Sequence, residues 1–228
     1  MASTNAGAQI NADDLPSPIK AIMLAIPFAL LGSVVATVFL FLEEQLINAV
    51  WEDLPKALGM TEPAWWLVVL LPLIGASLVM AAWRLPGKTD QGPLEGLHFD
   101  VTPATFGSVI LAAAGTLIFG LVLGPEAPLL ACGTAAGALV LRRQPDTVMK
   151  FGMLMTALAA IAAIFGNPIV VVLMLAEFAA LGMIPVAALM PGFVALGVAY
   201  VCETGVGGWT GLGSETLAVP GLPDFTSM

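Results

Sequence analysis

Six stretches of this chain carry no Asp, Glu, Lys, Arg or His: residues 21–42, 64–83, 101–125, 127–141, 151–176 and 178–202. A soluble fold must interleave such sequence with charge, so that one side of each helix or strand can face water. This chain does not, and a bilayer is the solvent that accepts it. Hydrophobic residues make up 59% of the sequence and charged residues only 10%, where soluble domains carry roughly 25% charged residues. At about 1.5 Å rise per residue, crossing a hydrocarbon core of about 30 Å takes about 20 residues. The first two runs cross comfortably, whereas 127–141 is too short to cross fully. Gly166-Asn167-Pro168 breaks the run 151–176 into two pieces of about half-membrane length. Short and interrupted segments point to discontinuous helices around a binding site at membrane depth. The expected fold is therefore all-α, a polytopic membrane protein with tilted, broken and re-entrant helices.

One charge stands alone in this apolar sequence. Glu126 is the sole Asp, Glu, Lys, Arg or His between Val101 and Leu141, inside Gly124-Pro125-Glu126-Ala127-Pro128. An ionisable group at membrane depth is costly and marks a functional site by default. Pro125 and Pro128 lack backbone donors, and Gly124 permits a sharp turn. Irregular backbone at that depth must be buried in protein or line a cavity. Two roles fit Glu126. Its carboxylate caps the start of the following helix, or it lines a cavity at that helix start, which points to transport. The two are linked, because the same helix N-terminus binds an anion once the carboxylate vacates it.

Other classes are poorly supported. The net charge of −9 and the lack of any basic patch argue against nucleic acid. There is no His/Cys cluster with metal spacing, no phosphate loop and no Ser-His-Asp set, so neither an enzyme nor a metal or cofactor site is expected. Cys132 and Cys202 lie in apolar segments and read as buried free thiols. His98 reads as an interfacial residue. The Gly133/Gly137 pair and the alanine-rich stretch 157–163 read as surfaces for close helix contact. Trp51, Trp65 and Trp66 read as interface anchors. The N-terminus carries Asp13 and Asp14 ahead of a long apolar run, which is not the pattern of a signal peptide.

Cations orient the chain. Lys20 precedes the first run, Arg84 and Lys88 follow the second, and Arg142, Arg143 and Lys150 cluster after 127–141. The positive-inside rule puts these in the cytoplasm and the acidic segment 43–63 outside, with Glu126 approached from the outer side. The expected division is a cytoplasmic segment 1–20, a membrane domain 21–202, and a Gly/Pro-rich loop 203–228 leaving the membrane. The expected location is the cell membrane, multi-pass, with the lipid bilayer as the surrounding partner.

The motifs then fall in a recognisable order. Asp90-Gln91-Gly92-Pro93-Leu94-Glu95-Gly96 comes first, followed by Gly124-Pro125-Glu126-Ala127-Pro128 and Ala131-Cys132-Gly133-Thr134-Ala135-Ala136-Gly137. Ala159 to Phe165 then lead into Gly166-Asn167-Pro168, with Glu177 nine residues later. Together they resemble the CLC family of chloride channels and proton-coupled chloride exchangers over about residues 15–225, covering the first of that family's two inverted halves. The resemblance implies an external gate at Glu126 and anion contacts at Gly124, Pro125, Ala127, Pro128 and Leu129. It implies further anion contacts at Asp90, Gln91 and Gly92, although an ordinary turn with a helix cap fits those three equally. Glu177 is either a structural carboxylate or part of a proton pathway.

Two departures bear on mechanism. The family's anion-holding serine is missing near Thr89, Asp90 and Gln91, and an ionised Asp there would repel an anion. Phe178 stands where exchangers carry a second glutamate, which favours passive conduction. The resemblance thus implies an anion channel, with chloride as the transported ion and no cofactor. A chloride/proton antiporter and a non-transporting membrane scaffold are the alternatives. It also implies a second CLC-like half, from the same longer chain or another, and a homodimer of the complete unit.

Overall fold

The computed structural model of this chain describes residues 15–85, 103–121, 124–165, 168–182 and 184–210. Among these residues the structure is helical, with no strand. Helix α1 spans Pro18–Asn48, passes through a π-helical turn at Ala49–Asp53, and continues as α2 over Leu54–Ala57. Helix α3 spans Trp65–Ala82, and α4 spans Pro103–Ala113 with a second π-helical turn at Ala114–Ile118. Helices α5 (Glu126–Leu141), α6 (Asp146–Phe165), α7 (Pro168–Ala180) and α8 (Leu189–Thr210) complete the order. Four helical segments are long and apolar enough to cross a membrane: Pro18–Ala57, Trp65–Ala82, Asp146–Phe165 and Val186–Gly205. Three apolar helices are shorter, at Phe106–Ile118, Glu126–Leu141 and Ile169–Ala180. The chain is an all-α polytopic membrane protein.

Helix α6 is the centre. Residues Phe151, Gly152 and Leu154 to Ala162 are buried around its whole circumference. Its neighbours α1, α5 and α8 press against it. Apolar side chains gain nothing by leaving lipid for protein, so helix contact in a bilayer depends on close van der Waals approach. Small residues supply it here. A Cβ added at Gly133 would lie 2.8 Å from the Ala157 Cα, and one at Gly137 would lie 2.8 Å from the Met153 Cα. A Cβ at Gly32 would overlap the Thr156 carbonyl and sit 2.8 Å from the Ala159 Cβ. The hydroxyls in this core spend their donors within their own helices. Ser33 donates to the Ala29 carbonyl at 2.9 Å, and Thr134 and Thr156 donate to the carbonyls of Leu130 and Gly152 at 2.8 Å. At one end of α6 the rings of Phe28 and Phe151 meet edge to face, with centroids 6.3 Å apart.

Several boundaries differ from the sequence expectation, each for a local reason. The acidic segment expected as a loop from residue 43 is helical through Ala57. Its charges ride on helix faces, and Lys56 bonds Glu52 at 3.0 Å one turn away. The run 101–125 does not stay helical to its end. It widens into the π-turn and stops at Ile118, and two residues on Gly120 takes a positive φ of 78°, a conformation that glycine adopts without a steric penalty. The break after Phe165 falls where Gly166-Asn167-Pro168 places it, but the first piece reaches back to Asp146 and is a full-length helix. Asp146 favours that start because its charge faces the positive end of the helix. Helix α8 runs to Thr210, past the boundary expected at 202, and 211–228 lie outside the described residues.

This packing has a direct test. Gly133→Val forces a branched side chain against the backbone of α6 and should destabilise the fold by about 1–3 kcal/mol, the usual range for overpacking. Gly197→Ala, with nothing within 4 Å of the added Cβ, should leave the melting temperature in detergent unchanged or slightly raised.

Candidate functional site

The site forms where two short helices turn back on each other. Helix α4 with its π-turn ends at Ile118, and α5 begins at Glu126. Trp51, from the π-turn after α1, holds this corner. Its indole N–H donates to the Ile118 carbonyl at 2.8 Å. Its ring lies over Gly120, where a Cβ would stand 2.7 Å from Trp51 Cζ2. Trp51 was expected as an interface anchor, but it is half-buried and clamps the corner from inside. Trp65 and Trp66 remain exposed.

The first turn of α5 presents few free donors. Pro128 has no N–H, and the Leu129 N–H bonds the Pro125 carbonyl at 3.0 Å. The amides of Glu126 and Ala127 precede any intrahelical partner, as the first donors of every α-helix do. Of the residues expected to contact an anion, Ala127 therefore has a backbone donor to offer, while Leu129 is fully buried and already bonded. The half-buried Glu126 folds its carboxylate back over Gly124. A Cβ added at Gly124 would overlap that carboxylate, so the glycine is needed for this pose.

Antiparallel packing puts a second acid toward the same end. Leu129 of α5 is buried against Ala36 of α1 and Ala160 of α6, with Phe39 and Leu40 packed around them. Beyond that contact in the same direction, α5 presents Glu126 about one turn away and α1 presents Glu43 about two turns away. Among the described residues, the buried Glu43 Oε2 has no hydrogen-bond partner. Sequence reasoning missed Glu43, which sits beside Glu44 at the end of an apolar run and looks like the start of a loop. The signal available was position: Glu43 lies four residues beyond Phe39 and on the same helix face.

From this level a cavity of about 930 Å³ runs between α1, α4 with its π-turn, and α5. Glu43 lines one end and Arg142 the other, with Val38, Ile110, Cys132 and Leu139 among the walls between. Phe28 touches Gly152 near Leu141, so the Lys20 end of α1 lies with the Arg142 end of α5. The molecule is thus polarised, with cations at one end and Glu43, Glu44 and Glu126 at the other. Glu177 sits elsewhere. It is exposed on α7, which packs on α6 and α8, and the adjacent Phe178 is buried. Asp90, Gln91, Gly92 and His98 lie outside the described residues. Among the described residues no three His, Cys, Asp or Glu side chains are grouped to hold a metal ion.

No family model matches the chain, and no solved structure matches it. Curated relatives do. A protein of Escherichia coli O17:K52:H18 named "Putative ion-transport protein YfeO" is 24% identical over 163 residues, which is 68% of this chain and 39% of that protein. Proteins of the same name from Salmonella schwarzengrund and Salmonella typhimurium are 26% identical over 165 residues, 68% of this chain and 40% of theirs. The match thus spans well under half of these relatives' length.

The corner bond is separable from the site chemistry. Trp51→Phe removes the donor to Ile118 and should cost about 1 kcal/mol, the usual worth of one such hydrogen bond. Gly120→Ala adds both a strained φ and a contact with the indole. It should lower the melting temperature further than Trp51→Phe in the same detergent.

Proposed function

We propose that this chain is the membrane-embedded part of an ion-transport protein of the CLC type, conducting small anions such as chloride passively, with Glu126 as the gate. The observation that carries the proposal is the pose of Glu126. It is a half-buried carboxylate at the first turn of a short apolar helix, folded over the glycine before it. In that pose the carboxylate lies over Gly124, just ahead of the α5 N-terminus, where the positive end of the helix dipole favours an anion. Dipoles in place of a fixed full charge keep binding weak enough for the ion to leave. The names of the similar proteins support ion transport as the broader activity, and the resemblance of the motifs supports the anion. The cationic end at Lys20, Arg142 and Arg143 is then cytoplasmic. The rest of the protein, or a partner chain, supplies a second half that completes the pathway. Phe178, in place of a second glutamate, supports conduction over proton exchange.

Proton binding should open the path. With Glu126 neutral, the carboxylate stops competing with the anion, so external acid raises chloride flux in liposomes carrying the full protein. One titrating carboxyl permits at most about a tenfold rise per pH unit. Glu126→Gln should give high flux with the pH slope lost, and Glu177→Gln should change flux little. Gly124→Ala meets only the mobile end of the Glu126 side chain, so the carboxylate swings aside and flux at neutral pH rises. Loss of flux in a folded Glu126→Gln protein, or selective cation flux in the parent, would overturn the proposal. Proton movement driven uphill by a chloride gradient would replace the channel with an exchanger.

A further inference from the structure

The cavity between α1, α4 and α5 is a groove with one open side. Its α1 wall carries a stripe of Val34, Val38, Leu42 and Leu46, four residues apart and all exposed. Water entering about 930 Å³ of such aliphatic space finds no polar partners along the walls. Left empty, the walls forfeit their van der Waals contacts. An apolar guest satisfies both conditions. The groove also has the length of an acyl chain. It is lined from Phe106 to Ile118 on α4 and from Cys132 to Arg142 on α5. At about 1.5 Å per residue these walls run about 15–18 Å, and one leaflet of a hydrocarbon core of about 30 Å is about 15 Å deep.

We propose that this groove binds an acyl chain of an anionic phospholipid from the surrounding bilayer, with the headgroup phosphate held by Arg142. The bound chain fills the gap between the three helices and ties α4 to α1 and α5. The site is separate from the gate, because Glu126 is not part of it.

Charge selects the guest and its direction. Arg142 lines one end of the groove and is exposed, and among the described residues it forms no ion pair. A guanidinium is a planar fork that matches phosphate oxygens, and its aliphatic stem can lie along an apolar wall. Arg143, next in the chain, is a second exposed cation at the same end. Anionic lipid is drawn to such basic residues at the edge of the hydrocarbon region. Glu43 lines the opposite end, where a carboxyl gives a phosphate no cation to bind. A protein segment would cover the aliphatic walls equally well. The uncompensated guanidinium at one end is what favours an amphiphile with an anionic head.

The test is native mass spectrometry of the full protein in detergent micelles holding equal amounts of dioleoylphosphatidylglycerol and dioleoylphosphatidylcholine, with the melting temperature measured alongside. The parent should retain phosphatidylglycerol in preference. Added phosphatidylglycerol should also raise its melting temperature, as any ligand selective for the folded state does. Ala135→Phe places a ring in the groove and should abolish both effects. Arg142→Gln should still take up lipid but hold phosphatidylglycerol about fivefold more weakly, the usual worth of one basic side chain beside anionic lipid. Lys56→Gln removes an exposed cation that does not line the groove and should change neither readout. A parent that retains neither lipid, its groove covered by another part of the protein, overturns the proposal. Equal retention of the two lipids, or a preference undiminished in Arg142→Gln, overturns it as well. Parent-like retention by Ala135→Phe puts the lipid elsewhere and does the same. Arg142 is exposed, so its substitution leaves the core untouched and decides the question if Ala135→Phe fails to assemble.

Discussion

Everything at the site depends on how closely α1 and α5 can approach α6. In lipid, burial of apolar surface between helices brings no hydrophobic gain, so association depends on contact distance and on satisfied polar groups. Gly32, Gly133 and Gly137 remove the side chains that would hold the backbones apart. The alanines of α6 then form a smooth, fully buried surface opposite them. Ser33, Thr134 and Thr156 spend their hydroxyl donors inside their own helices. A donor left unsatisfied in hydrocarbon would cost several kcal/mol, so these internal bonds are a condition of the close approach. The start of α5 is fixed to the same frame, because Leu129, one turn from Glu126, is buried against α1 and α6. The gate candidate is therefore carried on a helix packed into the core, although it lies at an irregular turn.

Much of the architecture was readable because membrane sequence obeys a strict rule. Charge-free runs, their lengths and their Gly/Pro breaks locate helices almost irrespective of tertiary contacts. The break before Pro168 and the helix start at Glu126 fall where those signals place them. Most of the boundary errors share one cause. Charges near the end of an apolar run were taken as the end of the helix. In the structure Glu43 and Glu44 lie inside α1, and helix persists through Asp53 to Ala57. A charge marks where the low-dielectric medium ends, which is a different boundary from where backbone hydrogen bonding ends. A helix can leave the hydrocarbon core and continue. The two π-turns and the Trp51 clamp depend on contacts 67 residues apart in sequence, and no local pattern announces them.

The same distinction explains why Glu126 was found and Glu43 was not. Glu126 is isolated in sequence, whereas Glu43 is isolated only in space. Its sequence neighbour Glu44 is exposed, yet one helical step turns Glu43 inward toward α5. Pairing antiparallel helices through Ala36 and Leu129 puts the two carboxylates toward the same end, and that pairing is set by small residues spread over three helices.

The cavity limits what these acids can do. It extends from Glu43 to Arg142 between walls that are almost wholly aliphatic. An ion stripped of water cannot cross such a space, because its solvation is not replaced by anything on the walls. The cavity therefore does not serve as a bare conduit. On the proposed reading, an anion reaches Glu126 by a route other than these apolar walls. The carboxylate is well placed for that division. Its backbone is held by the packed side of α5, while its flexible end lies over Gly124, where only a hydrogen atom stands beneath it. Movement of a few ångströms by this one side chain uncovers the helix dipole without disturbing any contact in the core. On the proposed reading, opening the gate costs little fold stability, because the element that moves is not the element that packs.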